Sequence, residues 1–379
     1  MAVVWVERGG TEPAGPDDGD LGDVAAAARA VLPPDVWGFV QGGSGAERTL
    51  RANRAAYDKV ALRPRVLVDV GAISLRTSVL GVEWAVPFGV APMAYHRLAH
   101  PDGELASAGA AGELGTMFCA SIFASRTFAE MAGATAGPRW LQVYYLRDRD
   151  TLADVLARAE QAGFGAIVLT VDTPHVATRP RDLGSSFTLP DDVRAVNLPQ
   201  SLMGTAHTVT TGRSAIQQHS RERHDQAITW ADLAWLRTRT SLPLLLKGVL
   251  TGEDARLAAE HGVDGLVVSN HGGRQLDAAV PSLAALPEVV AAVPESMPVL
   301  VDGGARRGSD VFAALALGAR AVLIGRPVLW GLAAAGRRGA YEVLRTLRDQ
   351  LEECMLLSGR PRIADIGRDA VAIEPTGWR

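Results

Sequence analysis

The chain has 379 residues, 38 Lys and Arg against 42 Asp and Glu, a formal net charge of -4 at pH 7 and 47% hydrophobic residues. That supplies a large core, and the charge balance gives no sign of a nucleic-acid or membrane-surface partner. Two cysteines, Cys119 and Cys354, lie too far apart in sequence to suggest a disulfide framework or a zinc site, which suits a reducing cytoplasm. The opening MAVVWVERGG lacks the apolar stretch of a signal peptide, no run reaches the roughly 18 apolar residues of a membrane span, and the final Gly-Trp-Arg is not a peroxisomal address. The expectation is a cytoplasmic, soluble chain.

Residues 9–20, GGTEPAGPDDGD, read as part of a flexible leader covering 1–20. A helical pattern begins near 21: AAAARAVL, a Pro-Pro break, then VWGFV. Short apolar runs follow at 87–92, 116–120, 139–144, 166–171, 243–247, 265–269, 298–302 and 321–324. They are nearly continuous, as strands covered on both faces should be. Segments of helical spacing lie between them, at 103–113, 150–162, 252–261, 283–293 and 308–317. This alternation predicts a single α/β domain over 21–364, a (β/α)8 TIM barrel with an N-terminal helical segment. An open doubly wound sheet is the alternative, but it would announce itself with G-x-G-x-x-G after the first strand, and GGSG at 42–45 lacks that spacing.

Two regions stand apart. The fourth-to-fifth strand connection carries a long insertion, about 188–228, read as a mobile lid over the barrel mouth. Its three histidines, His207, His219 and His224, have no metal-like spacing and read as solvated loop residues; no metal site is expected. Residues 365–379 read as a tail, disordered or at an interface.

Barrel chemistry sits at the C-terminal ends of the strands. The first run delivers Met93 and Ala94, the second Ser121, the third Gln142 and Tyr144, the fourth Thr170 and Asp172. The fifth ends in Lys247, the sixth in Ser269, Asn270, His271 and Arg274, the seventh in Asp302, Gly304 and Arg306, the eighth in Gly325 and Arg326. One polar tip is an ordinary loop, whereas polar groups converging from most strands on one mouth are a site. Gly-rich turns with an arginine after the last two strands suit a phosphate. Ser121, Gln142 and Thr170 suit the hydrogen-bonding edge of a heteroaromatic ring. Lys247 could stabilise a developing anion there, the alternative being an ion pair with a barrel carboxylate. His271 with Asp172 is a base with an orienting carboxylate, which is expected to raise its basicity. Arg274 and Arg179 offer planar forks to a carboxylate, and Tyr144 offers a phenol to a substrate oxygen. The set describes oxidation of a small 2-hydroxy acid by bound flavin mononucleotide.

The stretches 42–70, APMAYHRLAHPDGE (91–104), LQVYYLRDRD (141–150), LTVDTP (169–174), LLKGVLTGEDARLA (245–258), SNHGGRQLD (269–277), VDGGARRGSDVFAALALGA (301–319) and IGRPVLW (324–330) resemble, in family order, the FMN-dependent 2-hydroxy-acid oxidase and dehydrogenase family. That family includes glycolate oxidase, lactate oxidase and mandelate dehydrogenase. The resemblance implies FMN as cofactor, a 2-hydroxy acid and O2 as substrates, and a homo-oligomer, tetramer or octamer. It implies His271 as base with Asp172 as its partner, Arg179 and Arg274 on the substrate carboxylate, and Tyr144 on the substrate oxygen. Ala94, Ser121, Gln142, Thr170, Lys247 and Ser269 would line the flavin ring. Asp302 would hold the ribityl chain, and Gly304, Arg306, Gly325 and Arg326 the phosphate. Both a hydride and a proton-first route remain open.

Three departures from the family pattern bear on the substrate pocket. Phe39 stands where the family often has tyrosine. Ala177-Thr178-Arg179 replaces Gly-Arg-Arg, and Pro180 biases Arg179 toward extended backbone, with Arg181 as a possible substitute. Phe123 stands where glycolate oxidase has tryptophan. With Met93 they read either as core packing or as a wider apolar pocket for an aryl acid of mandelate or 4-hydroxymandelate type. Phe39 and the APMAY and GGSG contexts look most like the actinobacterial hydroxymandelate oxidases of antibiotic pathways. Ala94 mildly favours oxygen as acceptor. A dehydrogenase or monooxygenase on the same scaffold, acting on a lactate- or glycolate-like acid or a pathway intermediate, stays open, as does a barrel without catalysis.

Overall fold

The computed structural model describes residues 21–184, 187–199 and 224–373. All eight apolar runs are strands of one closed parallel barrel: β1 Phe88–Val90, β2 Phe118–Ser121, β3 Arg139–Val143, β4 Ile167–Thr170, β5 Leu244–Val249, β6 Gly265–Val268, β7 Val299–Asp302 and β8 Ala321–Ile324. They pair in chain order and β8 closes on β1, with Val322 opposite Phe88. The predicted helices lie between them, among them Glu104–Leu114, Arg149–Gln161, Gly252–Glu260, Ser282–Ala291 and Gly308–Ala316.

Side chains alternate across a strand, so each strand has an inward and an outward set. The outward set packs with the helices in one large cluster. The inward set forms a second cluster that includes Cys119, Trp140, Val168, Leu245, Val267, Leu300 and Leu323. Trp84, fully buried and 5.3 Å from the Trp140 ring, joins this interior from the hairpin Thr77–Val79 and Val82–Trp84. Two residues further along each strand, the same inward register reaches Ser121, Gln142, Thr170, Lys247, Ser269, Asp302 and Gly325. The pleat therefore carries the core period straight into the site.

The helical start divides into Gly22–Val31 and Pro34–Gln41, split at the expected Pro-Pro break. A last helix, Arg326–Ser358, is broken at Ala335 and Gly336, where the dihedrals leave the helical region.

Two expectations are corrected. The tail is folded through residue 373: Val371–Ile373 pairs antiparallel with Val60–Leu62, and Ala370 and Val371 are buried. Among the described residues the two strands form a sheet of their own. The near arm of the insertion is packed rather than mobile, because Leu189, Val193, Ala195 and Leu198 are buried. Polar ties hold it as well: Arg97 Nη2 donates to Asp192 at 2.9 Å, and Asn197 accepts from the Phe128 N–H at 3.1 Å. The leader 1–20, residues 200–223 with His207 and His219, and residues 374–379 lie outside the described residues. Among the described residues, no helix is long and apolar enough to cross a membrane.

Candidate active site

One cavity opens at the C-terminal ends of the strands. Tyr144, Arg179, His271 and Arg274 line it, as do Phe39, Met93 and Phe123. Its floor includes Ala94, Ser121, Gln142, Thr170 and Lys247, and one side is formed by Asp302, Gly304, Arg306, Gly325 and Arg326. Of the residues predicted for the site, Asp172 and Ser269 do not reach the wall; both stand directly behind residues that do.

The stretch SNHGGRQLD explains itself residue by residue. Ser269 is fully buried and accepts from Lys247 Nζ at 2.9 Å and from the His271 N–H at 3.0 Å. It buttresses those two residues from directly behind the cavity wall. Asn270 and Asn53 exchange amide hydrogen bonds, both at 2.8 Å. His271, Gly272 and Gly273 all have positive φ, a sharp turn that aims the imidazole into the mouth. Gln275 Nε2 donates to the carbonyls of Asp172 and His175, tying this loop to the one after β4. Asp277 accepts from the N–H groups of Ala46 and Thr49 and so anchors the loop after GGSG.

His271 Nδ1 lies 2.9 Å from Asp172 Oδ1, and Thr173 Oγ1 donates to the same oxygen at 2.9 Å. An ionised Asp172 only accepts, so Nδ1 carries the proton and Nε2 is the basic nitrogen. Gly248 makes the pair possible: at φ +113, a Cβ there would come within 2.6 Å of Asp172 Cβ. Burial acts on both groups. It lowers the His271 pKa more than Asp172 raises it, with Lys247 adding to the lowering. This reverses the expected gain in basicity, which weighed the carboxylate and left out desolvation. For Asp172, burial works against ionisation but is outweighed by His271 and Lys247, so its pKa lies below the usual value. The resting pair is a neutral imidazole and a carboxylate.

Ser121 Oγ donates to Gln142 Oε1 at 3.1 Å, and Gln142 Nε2 donates to Thr170 Oγ1 at 2.9 Å. Lys247 Nζ sits 3.1 Å from Asp302 Oδ2, so the carboxylate ion pair that was the alternative for Lys247 exists. Burial opposes the ammonium, but Asp302 and Asp172 together hold its pKa above the ordinary value. Burial, then Asp172, pushes the Tyr144 phenol up to about 12, which keeps it a protonated donor.

The two forked arginines are held differently. Arg274 Nη1 donates to the carbonyls of Phe39 and Gly42 at 2.8 and 2.7 Å, and its guanidinium lies 5.2 Å over the Phe39 ring. Arg179 is buried, with Asp182 Oδ2 at 3.9 Å, and Pro180 opens a short helix directly after it. Burial lowers the pKa of both arginines; Arg179 adds to the lowering at Arg274, and Asp182 opposes it at both. Arg181 does not substitute: it reaches outward to Glu47 at 2.7 Å. Phe39 stacks on Phe187 at 4.7 Å and also lines the cavity.

Sequence reasoning missed Asp182, Gln275, Tyr95 and His224. His224 is the largest miss. Read as solvated, it is buried, lines the cavity and stacks on Tyr144 at 4.4 Å. Nothing in its spacing signalled this; its place depends on the chain returning to pair beside Leu146.

The family described as FMN-dependent dehydrogenase matches residues 28–373. The chain belongs to this family. It is 45% identical over 347 residues to a peroxisomal (S)-2-hydroxy-acid oxidase of Oryza sativa subsp. japonica, covering 92% of this chain and 94% of that protein. It is 46% identical over 339 residues to the 4-hydroxymandelate oxidase of Amycolatopsis orientalis, covering 89% and 94%. The solved structure of mandelate oxidase with (S)-4-hydroxymandelic acid superposes with a TM-score of 0.89 at 44% identity, covering 93% of this chain and 98% of that one.

FMN is the cofactor of this FMN-dependent dehydrogenase, and the cavity fits it. The Arg326 pKa is pushed down to about 9 by burial and then by neighbouring Arg306. Two crowded, buried guanidiniums are what a phosphate dianion would relieve. Asp302 Oδ1 is buried without a hydrogen-bond partner among the described residues, an acceptor suited to a sugar-alcohol hydroxyl. Gly304, at φ +99, lets the backbone turn beside Asn53, where a Cβ would come within 2.6 Å of a carbonyl.

Proposed function

We propose that this enzyme, an FMN-dependent (S)-2-hydroxy-acid oxidase, acts on an aryl 2-hydroxy acid of the mandelate or 4-hydroxymandelate type. It would yield the 2-keto acid and, on reoxidation by O2, hydrogen peroxide. The observation that carries the aryl reading is a continuous row of rings along one wall. Tyr95 lies 6.1 Å from Phe123, Phe123 5.6 Å from Tyr144, and Tyr144 4.4 Å from His224. Flat faces in sequence favour a flat side chain. The mandelate and 4-hydroxymandelate oxidases among its relatives support the same reading.

In this reading Arg179 and Arg274 grip the substrate carboxylate and fix C2 in the mouth. Tyr144 donates to the oxygen on C2. Neutral His271 takes a proton at Nε2, from the C2 hydroxyl if the C2 hydrogen leaves as hydride or from C2 itself if the proton leaves first, and Asp172 holds Nδ1–H and steadies the imidazolium that results. Lys247 puts a fixed positive charge beside the ring site lined by Gln142 and Thr170. FMN held by these residues would supply the two-electron acceptor, with O2 as the final oxidant. We also propose, as the family resemblance implies, that the enzyme is a homo-oligomer, and that it works in the cytoplasm in an antibiotic-forming pathway.

An anaerobic absorbance titration with (S)-4-hydroxymandelate, followed by air, tests this. Bleaching with fast recovery supports an aryl-acid oxidase. Comparable or better turnover of glycolate or lactate would sink the aryl assignment. Bleaching without recovery would make the enzyme a dehydrogenase.

A further inference from the structure

We infer that His224 is a specificity-determining residue: its imidazole closes the ring wall of the cavity and reads a hydroxyl on the substrate's aryl group. The inference rests on the aryl reading above and deepens it.

The placement of His224 is firm. Its backbone bridges Leu146, and its carbonyl accepts from Arg147 Nε at 3.0 Å. The next residue is pinned twice: the Asp225 N–H donates to the Tyr145 carbonyl at 2.9 Å, and its carboxylate pairs with Arg149 at 2.5 Å. Arg149 in turn lies 4.0 Å over the Tyr145 ring. The imidazole is thereby held nearly parallel to Tyr144, at 20°, and also within 6.2 Å of Phe123. It is 3% exposed.

The residue type is what points to recognition. A phenyl ring would make the same stack with a smaller desolvation cost. An imidazole instead adds ring nitrogens, able to donate and accept, to a wall whose other described rings, Tyr95, Phe123 and Tyr144, are phenyl and phenol. Among the described polar residues of the cavity, the proposed function assigns Tyr144, Arg179, Arg274 and His271 to the reacting end and Asp302, Arg306 and Arg326 to the phosphate, and gives none of them the aryl group. Tyr95, stacked beyond Phe123, is the competing donor at the far end of the wall.

The test uses FMN-loaded wild type, His224→Phe, His224→Ala and Tyr95→Phe. Two unreactive acids, phenylacetate and 4-hydroxyphenylacetate, are titrated by their perturbation of the flavin absorbance band. The ratio of kcat/KM for (S)-4-hydroxymandelate over (S)-mandelate is measured alongside. His224→Phe is expected to keep phenylacetate affinity within about threefold and to lose about tenfold in preference for the hydroxylated acid, as one lost hydrogen bond implies. His224→Ala is expected to weaken both aryl acids relative to (S)-lactate. Unchanged ratios in both His224 variants, or a loss carried by Tyr95→Phe instead, would overturn the inference. The wild-type preference for aryl acids over glycolate and lactate is read separately. Its absence defeats the aryl reading, whereas its presence with unchanged ratios defeats the role of His224 alone.

Discussion

The two ends of one barrel use the same strands and the same inward register for opposite purposes. At the N-terminal end the inward residues are Trp140, Val168, Leu245, Val267 and Leu300, with Trp84 packed among them. Two residues on, toward the mouth, they become Gln142, Thr170, Lys247, Ser269 and Asp302. The first set needs only shape and close packing. The second buries charges and amides, and such groups persist only with partners. The lower half contributes stability that the upper half spends on a pair such as Lys247 and Asp302, 3.1 Å apart with little water around them.

The comparison can be broken at either end. His271→Ala should lower turnover by about 10²–10⁴-fold, the usual contribution of a positioned base, while leaving the melting temperature nearly unchanged; steady-state kinetics and calorimetry together check both halves. Trp84→Ala should do the reverse. It removes a fully buried side chain and should destabilise the fold by about 3–5 kcal/mol in denaturant titrations, with the preference among 2-hydroxy acids unaltered. Asp172→Asn sharpens the account of the mouth. Asp172 raises the His271 pKa against burial, so its loss should move the acid limb of the rate profile to lower pH and slow the reaction by roughly 10²-fold. The smallest effect belongs to Arg181→Ala. Its partner is Glu47 near the surface, so kcat/KM should change less than about twofold, whereas Arg179→Ala should weaken substrate strongly.

The same contrast explains what could be read from sequence. A strand buried on both faces has few acceptable residues, so all eight were visible as apolar runs, and the polar residues ending most of them marked the mouth. Lys247 and His271 were legible for that reason. The pairing of Val371–Ile373 with Val60–Leu62 was not, because it joins segments some 300 residues apart. His224 was invisible for a related cause: a histidine inside a polar insertion carries no local mark of burial. The pKa direction of His271 was misjudged because an adjacent carboxylate can be read from a motif, while the depth of burial opposing it cannot.

His271 rests as a neutral base at the mouth, and the pH dependence of anaerobic flavin reduction by (S)-4-hydroxymandelate tests this most directly. Burial lowers its pKa, so the rate should be flat near neutrality and fall only as pH drops below the ordinary imidazole value of about 6.5, with that limb missing in His271→Ala. An acid limb centred above that value, or one that survives in His271→Ala, would contradict it.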